Sequence, residues 1–293
     1  MTPNTQPAAS SGAGAGPARA DIGVIGVIGG SGFYEFLTDS ERVHVTTPFG
    51  DASDDVMVGD LAGRRVAFLA RHGQGHRFPP HRVNYRANLW ALRSLGVRQV
   101  LAPCAVGSLK PELGPGAIVV PDQLIDRTWG RDHTIYDGIG PVVHVGFADP
   151  YCPRGRAAVI DAGRAAGKNI VDVATMVVIN GPRFSSRAES LWHQQAGWTV
   201  VGMTGMPEAA IARELAMCFS TLCLVTDHDA GVDGGEAVTH EEVLRVFARS
   251  LDGVKALLKS AISAMPSPED DISATCPCRR SLDGLKLPFA LPG

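Results

Sequence analysis

The stretch IGVIGVIGGSG at positions 22–32 decides the fold class. Its apolar, β-branched half predicts a strand over Ile22–Ile28 buried on both faces, because no residue alternates to a polar one that would meet water. The glycines that follow predict a tight turn at the strand's end. The same unit returns along the chain as an apolar strand, a loop rich in Gly, Ser, Arg or Asp, and then an amphipathic helix. Strands are expected at Val43–Thr47, Val56–Val58, Arg65–Ala70, Gln99–Cys104, Ala117–Pro121, Met176–Ile179, Thr199–Met203 and Thr221–Thr226. Helices are expected at Tyr85–Leu95, Arg154–Ala166, Ser186–Gln195 and Glu208–Met217, the first three stopped by Gly96, Gly167 and Gly197. A last helix runs from about His240 to Met265. Thr239 and Glu242 form its capping box, and Val243, Val246, Phe247, Leu251, Val254 and Leu258 mark one buried face. Strands separated by helices predict an α/β sandwich with a largely parallel sheet and ligands at the strand ends.

Working outward, the whole chain has 293 residues, with 27 Lys+Arg against 30 Asp+Glu and a net charge of −3. It is 45% hydrophobic and 19% charged, an ordinary globular mixture. Residues 1–20 are Ala, Gly, Pro, Ser and Thr with almost nothing to bury, so a disordered tail is expected there. Nothing resembling a linker interrupts residues 21–265, which predicts one domain. Residues 266–293 are polar and Pro-broken but close with LKLPFALPG, apolar enough for a partly docked tail. The charge balance argues against nucleic-acid binding, and the lack of a long uncharged apolar stretch argues against a membrane span. The first 20 residues lack the basic and apolar regions of a signal peptide, and six cysteines are too few for a disulfide framework. A cytoplasmic protein is expected.

Five loops carry chemistry. Gly29-Gly30-Ser31-Gly32 offers backbone N–H groups and the Ser31 hydroxyl to an anion, with a plain tight turn as the alternative. Arg71-His72-Gly73-Gln74-Gly75-His76 follows a strand and offers guanidinium and imidazole, suited to phosphate or carboxylate. His72 and His76 have zinc spacing only if helical, which Gly73 and Gly75 oppose. The segment GPRFSSRAE at 181–189 enters a helix. Ser186 and Glu189 can cap it, while Phe184 is either core or a plate for a planar ligand. In GMTGMPE at 202–208 a strand turns into a helix with Pro207 at its first position, and Met203 is either core or ligand contact. Asp227 and Asp229 end the strand TLCLV. They suit a divalent metal or proton transfer to a bound base, and burial should raise the Asp227 pKa. Cys276 and Cys278 are too closely spaced for a zinc knuckle by themselves, leaving free thiols or a strained disulfide as the readings.

Together these blocks resemble the trimeric purine nucleoside phosphorylase family, in particular its 5′-methylthioadenosine phosphorylase branch. The carriers, in order, are GVIGGSGFYEF, TPFGDASD, ARHGQGHRFPPHRVNYRANLWAL, QLIDRT, GPRFSSRAES, GMTGMPEAAIAREL and VTDHDAG. The resemblance implies a single-domain phosphorylase/hydrolase-like α/β sandwich, with a central mixed, partly barrel-like sheet flanked by helices. It implies a homotrimer with no metal or organic cofactor, taking a nucleoside and inorganic phosphate to free base and ribose 1-phosphate. Phosphate would meet Ser31, Arg71, His72, Thr204 and the backbone at Cys104 and Ala105; relatives often have Thr at the place of Cys104. Met203 would contact the ribose, Phe184 and Ser185 would border the base, and Asp227 and Asp229 would face the purine edge. His144 would reach over the 5′ end of the sugar in a neighbouring subunit. Some thermophilic relatives join a C-terminal Cys-x-Cys pair in a disulfide.

Asp227 would give a proton to purine N7 and favour a 6-amino over a 6-oxo base. The sugar's 5′ substituent has two readings. Val243 suits an apolar methylthio group, whereas THEEV at 239–243, with His240, is similar to relatives that bind a 5′-hydroxyl. The alternatives weighed are a binding-only homologue, a metal-dependent glycosyltransferase using Asp227 and Asp229, and a nucleoside hydrolase.

Overall fold

The computed structural model describes residues 24–30, 37–232, 239–266 and 275–293. The tail expected at 1–20 and the anion-cradle residue Ser31 lie outside the described residues.

Among the described residues eleven strands form one sheet. They are β1 Ile25–Gly29, β2 Thr38–Val43, β3 Val56–Leu61, β4 Arg64–Ala70, β5 Gln99–Ser108, β6 Ile118–Val119, β7 Gln123–Arg127, β8 Ile170–Val171, β9 Thr175–Ile179, β10 Val200–Gly202 and β11 Cys218–His228. The helices are α1 Tyr85–Ser94, α2 Pro153–Ala165, α3 Arg187–Gln195, α4 Gly205–Glu214 and α5 His240–Ala264. β1 runs parallel to β4 and β5, and β5 runs parallel to β11. β3 is antiparallel to both β2 and β4, and β10 is antiparallel to β5. The sheet is therefore mixed, less parallel than strand–helix alternation alone suggests.

All five residues of β1 are buried, as their unbroken apolar pattern requires. A side chain at Gly26 would come within 2.7 Å of Val97, so the glycine sets how closely β1 packs beneath the loop after α1. One face of the sheet packs against α1 and α4 through Leu89, Leu92 and Ile211, and the other against α2 and α5 through Val159, Leu257 and Leu258.

Three expectations are corrected. The second strand is TDSERV at Thr38–Val43, not Val43–Thr47. It is an edge strand paired on one side with β3, and such edges carry charge rather than an apolar pattern. β7 and β8 were not expected at all; β7 is the opposite edge and β8 is two residues long. β5 and β11 run further than expected, so Cys104 and Ala105 lie within β5 rather than at its end. In α4, Met206 is extended (φ −120°, ψ 136°), so regular helix starts at Pro207.

Candidate active site

A cleft of about 550 Å³ lies along the C-terminal half of β5, roofed by the first turns of α5. Eleven residues expected at a site line it: Arg71, His72, Cys104, Ala105, Phe184, Ser185, Met203, Thr204, Asp227, Asp229 and Val243. His144 does not; it is exposed on the segment between β7 and α2. The side chain of His240 lies outside the described residues, although its backbone begins α5.

One end is built around Arg71, which follows β4 and is 2% exposed. Its Nε donates to Glu208 Oε1 at 2.6 Å, and its Nη2 donates to Glu208 Oε2 at 3.1 Å and to the Ile28 carbonyl at 3.0 Å. Nη1 donates to the Pro103 carbonyl at 3.3 Å. A guanidinium has five N–H donors, so four are engaged among the described residues and one on Nη1 remains for a ligand. Desolvation works to lower the Arg71 pKa, but the charge and hydrogen bonds of Glu208 overcome it and hold the group above its ordinary range.

His72 is also buried. Its Nδ1 lies 2.8 Å from the Phe78 carbonyl, which can only accept, so Nδ1 carries the proton and Nε2 the lone pair. Burial, reinforced by the charge of Arg71, pushes the ring down to about 3, so it is neutral at physiological pH. Its ring stacks on His76 with centroids 4.1 Å apart. Thr204 is buried and its side chain does not cap α4. The Cys104 thiol sits 3.6 Å from both Thr221 Oγ1 and Cys223 Sγ on β11, a cross-strand contact between β5 and β11.

At the other end, a register shift between Val225 and Asp227 breaks the even pairing of β11 with β5 and sets Asp227 opposite Gly107. A side chain at Gly107 would lie 3.0 Å from Asp227 Oδ2 and 3.4 Å from Asp229 Cβ, so the glycine leaves room for both carboxylates. Asp227 accepts from Thr226 Oγ1 at 2.7 Å, and burial pushes its carboxyl up to about 6. Asp229 accepts from Ser190 Oγ on α3. Ser185 Oγ is buried with no hydrogen-bond partner among the described residues, a donor left for a ligand. The loop carrying Phe184 and Ser185 is tied down by the Ser186–Glu189 capping box and an Arg183–Glu189 ion pair. Val243, Leu244 and Phe247 of α5 add an apolar wall.

Two residues escaped the sequence reading. Glu208 looks like an ordinary acidic residue in a helix's first turn, yet it is 1% exposed and clamps Arg71. The signal was Arg71 itself, since a cation at the end of a buried strand requires an anion. Arg131, in the loop after β7, donates to the carbonyls of Met203 at 2.9 Å and Asn180 at 2.8 Å and so holds the Met203 turn in place.

Comparisons with known proteins identify the family. A profile of the phosphorylase superfamily matches residues 24–263. The chain is 58% identical over 276 residues to the purine nucleoside phosphorylase of Streptomyces coelicolor, covering 92% of this chain and 97% of the relative. It is 54% identical to the S-methyl-5′-thioadenosine phosphorylase of Mycolicibacterium smegmatis, covering 92% of this chain and 100% of the relative. A crystal structure of a methylthioadenosine phosphorylase from an Antarctic soil metagenomic library shares the fold with a TM-score of 0.82 at 40% identity, covering 91% of this chain and 93% of that one. A cleft with a clamped arginine at one end and buried carboxylates at the other, on a mixed sheet matched along nearly its whole length, places this chain in the phosphorylase superfamily.

Proposed function

We propose that the protein phosphorolyses S-methyl-5′-thioadenosine to adenine and 5-methylthioribose 1-phosphate. The observation that carries this reading is Asp227, a buried carboxyl held near pKa 6 at the far end of a cleft whose other end presents Arg71. In the reaction a phosphate oxygen bonds to C1′ as the C1′–N9 bond breaks, and the purine leaves with a developing negative charge. Protonated Asp227 gives its proton to N7, which meets that charge where it forms and is worth about 10²–10⁴-fold. Arg71, His72, Thr204 and the backbone at Cys104 and Ala105 hold phosphate, which is both nucleophile and counter-charge to the ribosyl cation. The same role falls to Ser31. Met203 lies against the ribose, and Phe184, Ser185 and Asp229 border the base.

The 6-amino group of adenine donates to the Asp227 carboxyl, whereas a 6-oxo group would set oxygen against oxygen. Val243, Leu244 and Phe247 suit the methylthio group. The reaction needs no metal or organic cofactor. The active form is a cytoplasmic homotrimer in which His144 completes a neighbour's site; its exposure outside its own cleft, beside exposed Ile139 and Val142, supports this. Among the described residues no helix is long and apolar enough to cross a membrane.

A second reading, turnover of adenosine and its 5′-deoxy or 5′-halo forms, is favoured by His240 and by the name of the Streptomyces coelicolor relative. Base release from methylthioadenosine, adenosine and inosine, each with and without phosphate, tests both. Phosphate-dependent release, methylthioadenosine first and inosine last, is expected. Release without phosphate, or a preference for inosine, would overturn the assignment.

A further inference from the structure

Four of the six cysteines form a second constellation, remote from the cleft. Cys276 and Cys278 cannot make a four-ligand site alone, but the fold brings Cys152 and Cys218 to them. All four are buried, and their sulfur atoms lie within 4.8 Å of one another. Cys276 Sγ is 3.7 Å from Cys152 Sγ and 3.6 Å from Cys218 Sγ. A disulfide needs about 2.05 Å between sulfurs. Four thiolates at about 2.3 Å from one zinc ion form a tetrahedron with edges of about 3.8 Å, close to the spacing seen.

The surroundings suit the charge of such a site. Cys152 is the N-cap of α2, a 13-residue helix, so its sulfur sits at the positive end of that dipole. Arg213 Nη2 lies 3.8 Å from Cys278 Sγ while its Nη1 holds the Gly146 carbonyl at 2.7 Å. A turn closed by the Arg279 N–H on the Cys276 carbonyl at 2.9 Å keeps the two C-terminal sulfurs together.

We propose that Cys152, Cys218, Cys276 and Cys278 bind one structural zinc ion that clasps the C-terminal segment to the domain. Four thiols lose their protons to solvent and four Zn–S bonds form, with no change of oxidation state. Four soft sulfur donors in a closed, buried set select zinc over magnesium or calcium. The site takes no part in phosphorolysis: Cys218 begins β11 and Asp227 lies near its end, roughly 30 Å away along the strand. Its role is to fix residues 275–293, whose Phe289 packs on Trp90 and Tyr136 and whose Gly293 carbonyl accepts from Arg93 and Arg98 at 2.7 Å.

The test is metal analysis of the full chain, purified without chelator from zinc-supplemented cells. One zinc per chain is expected, released by an organomercurial that blocks the thiols. The double variant Cys276→Ser, Cys278→Ser should lose the zinc and unfold at lower temperature, yet keep its methylthioadenosine kcat within about twofold below that temperature. Should that variant fail to fold, cobalt bound to the wild-type protein should give the intense visible absorption of tetrahedral thiolate coordination. A metal-free protein with six titratable thiols, a mass four hydrogens short from two disulfides, or iron in place of zinc would each overturn the proposal.

Discussion

Glu208, at the start of α4, is 1% exposed and meets the Arg71 guanidinium through two hydrogen bonds. Asp227, near the end of β11, is 8% exposed and meets a threonine hydroxyl, with no ion pair among the described residues. Both carboxyls have been taken out of water, which by itself favours the protonated form. At Glu208 the charge and hydrogen bonds of Arg71 oppose the burial, which still holds the carboxyl above its usual range, and the two-point pairing fixes the Arg71 guanidinium. At Asp227 no ion pair among the described residues opposes the burial, the charge of Asp229 adds to it, and the group is left near pKa 6, able to hold a proton and to part with it. Both carboxyls are thus raised by burial, but one is held in a two-point ion pair and the other is left with a hydroxyl partner, which suits the first to a structural part and the second to the proposed proton transfer.

The largest effect that would break this comparison comes from Asp227→Asn. Methylthioadenosine turnover should fall about 10²–10⁴-fold with the phosphate KM little changed, and steady-state assays varying each substrate in turn check this. The pH profile sharpens it. Asp227 loses its proton as the pH rises through about 6, so wild-type kcat/KM should fall above that pH, and the variant should lack this limb. An identical limb in both would assign it elsewhere.

Glu208→Gln should act at the other end and in another currency. Leaving Arg71 buried without a counter-charge should cost about 3–5 kcal/mol of stability, read by chemical denaturation, and raise the phosphate KM. A smaller effect is expected from Gly107→Ala, whose added methyl would press on Asp227 Oδ2. Displacement by a few tenths of an ångström should lower kcat/KM about tenfold without altering phosphate binding. The smallest is His240→Val. If the imidazole serves a 5′-hydroxyl, the methylthioadenosine-to-adenosine ratio of kcat/KM should rise about fivefold, as loss of one hydrogen bond implies. An unchanged ratio would remove His240 from the pocket.

The same contrast explains what could be read in the sequence. Asp227, Arg71 and His72 were legible because each follows an apolar run, where a polar side chain marks a strand's end. Glu208 was hidden because its neighbours in sequence describe a helix start, and its partner lies on another element 137 residues away. The central strands β1, β4 and β11 were legible from burial on both faces. The edge strand TDSERV reads as loop because its pairing to β3 is a backbone event that leaves no apolar mark. Likewise the cysteine pair near the C-terminus gave no sign of Cys152 and Cys218, which only the packing of α2 against β11 brings near.

If His72 meets phosphate as proposed, its bond to the Phe78 carbonyl bears on which tetrahedral anions the cleft admits. With Nδ1–H spent, the remaining nitrogen offers a lone pair and no proton, so it welcomes an oxyanion that still carries a hydroxyl. Phosphate and arsenate do so at neutral pH; sulfate does not, and would set lone pair against lone pair. Protonating the ring instead would mean lifting its pKa from about 3 by roughly four units, about 5 kcal/mol. On that assignment a neutral histidine beside a charged arginine would sort anions of equal size by whether they carry a proton, and sulfate should compete only weakly with phosphate.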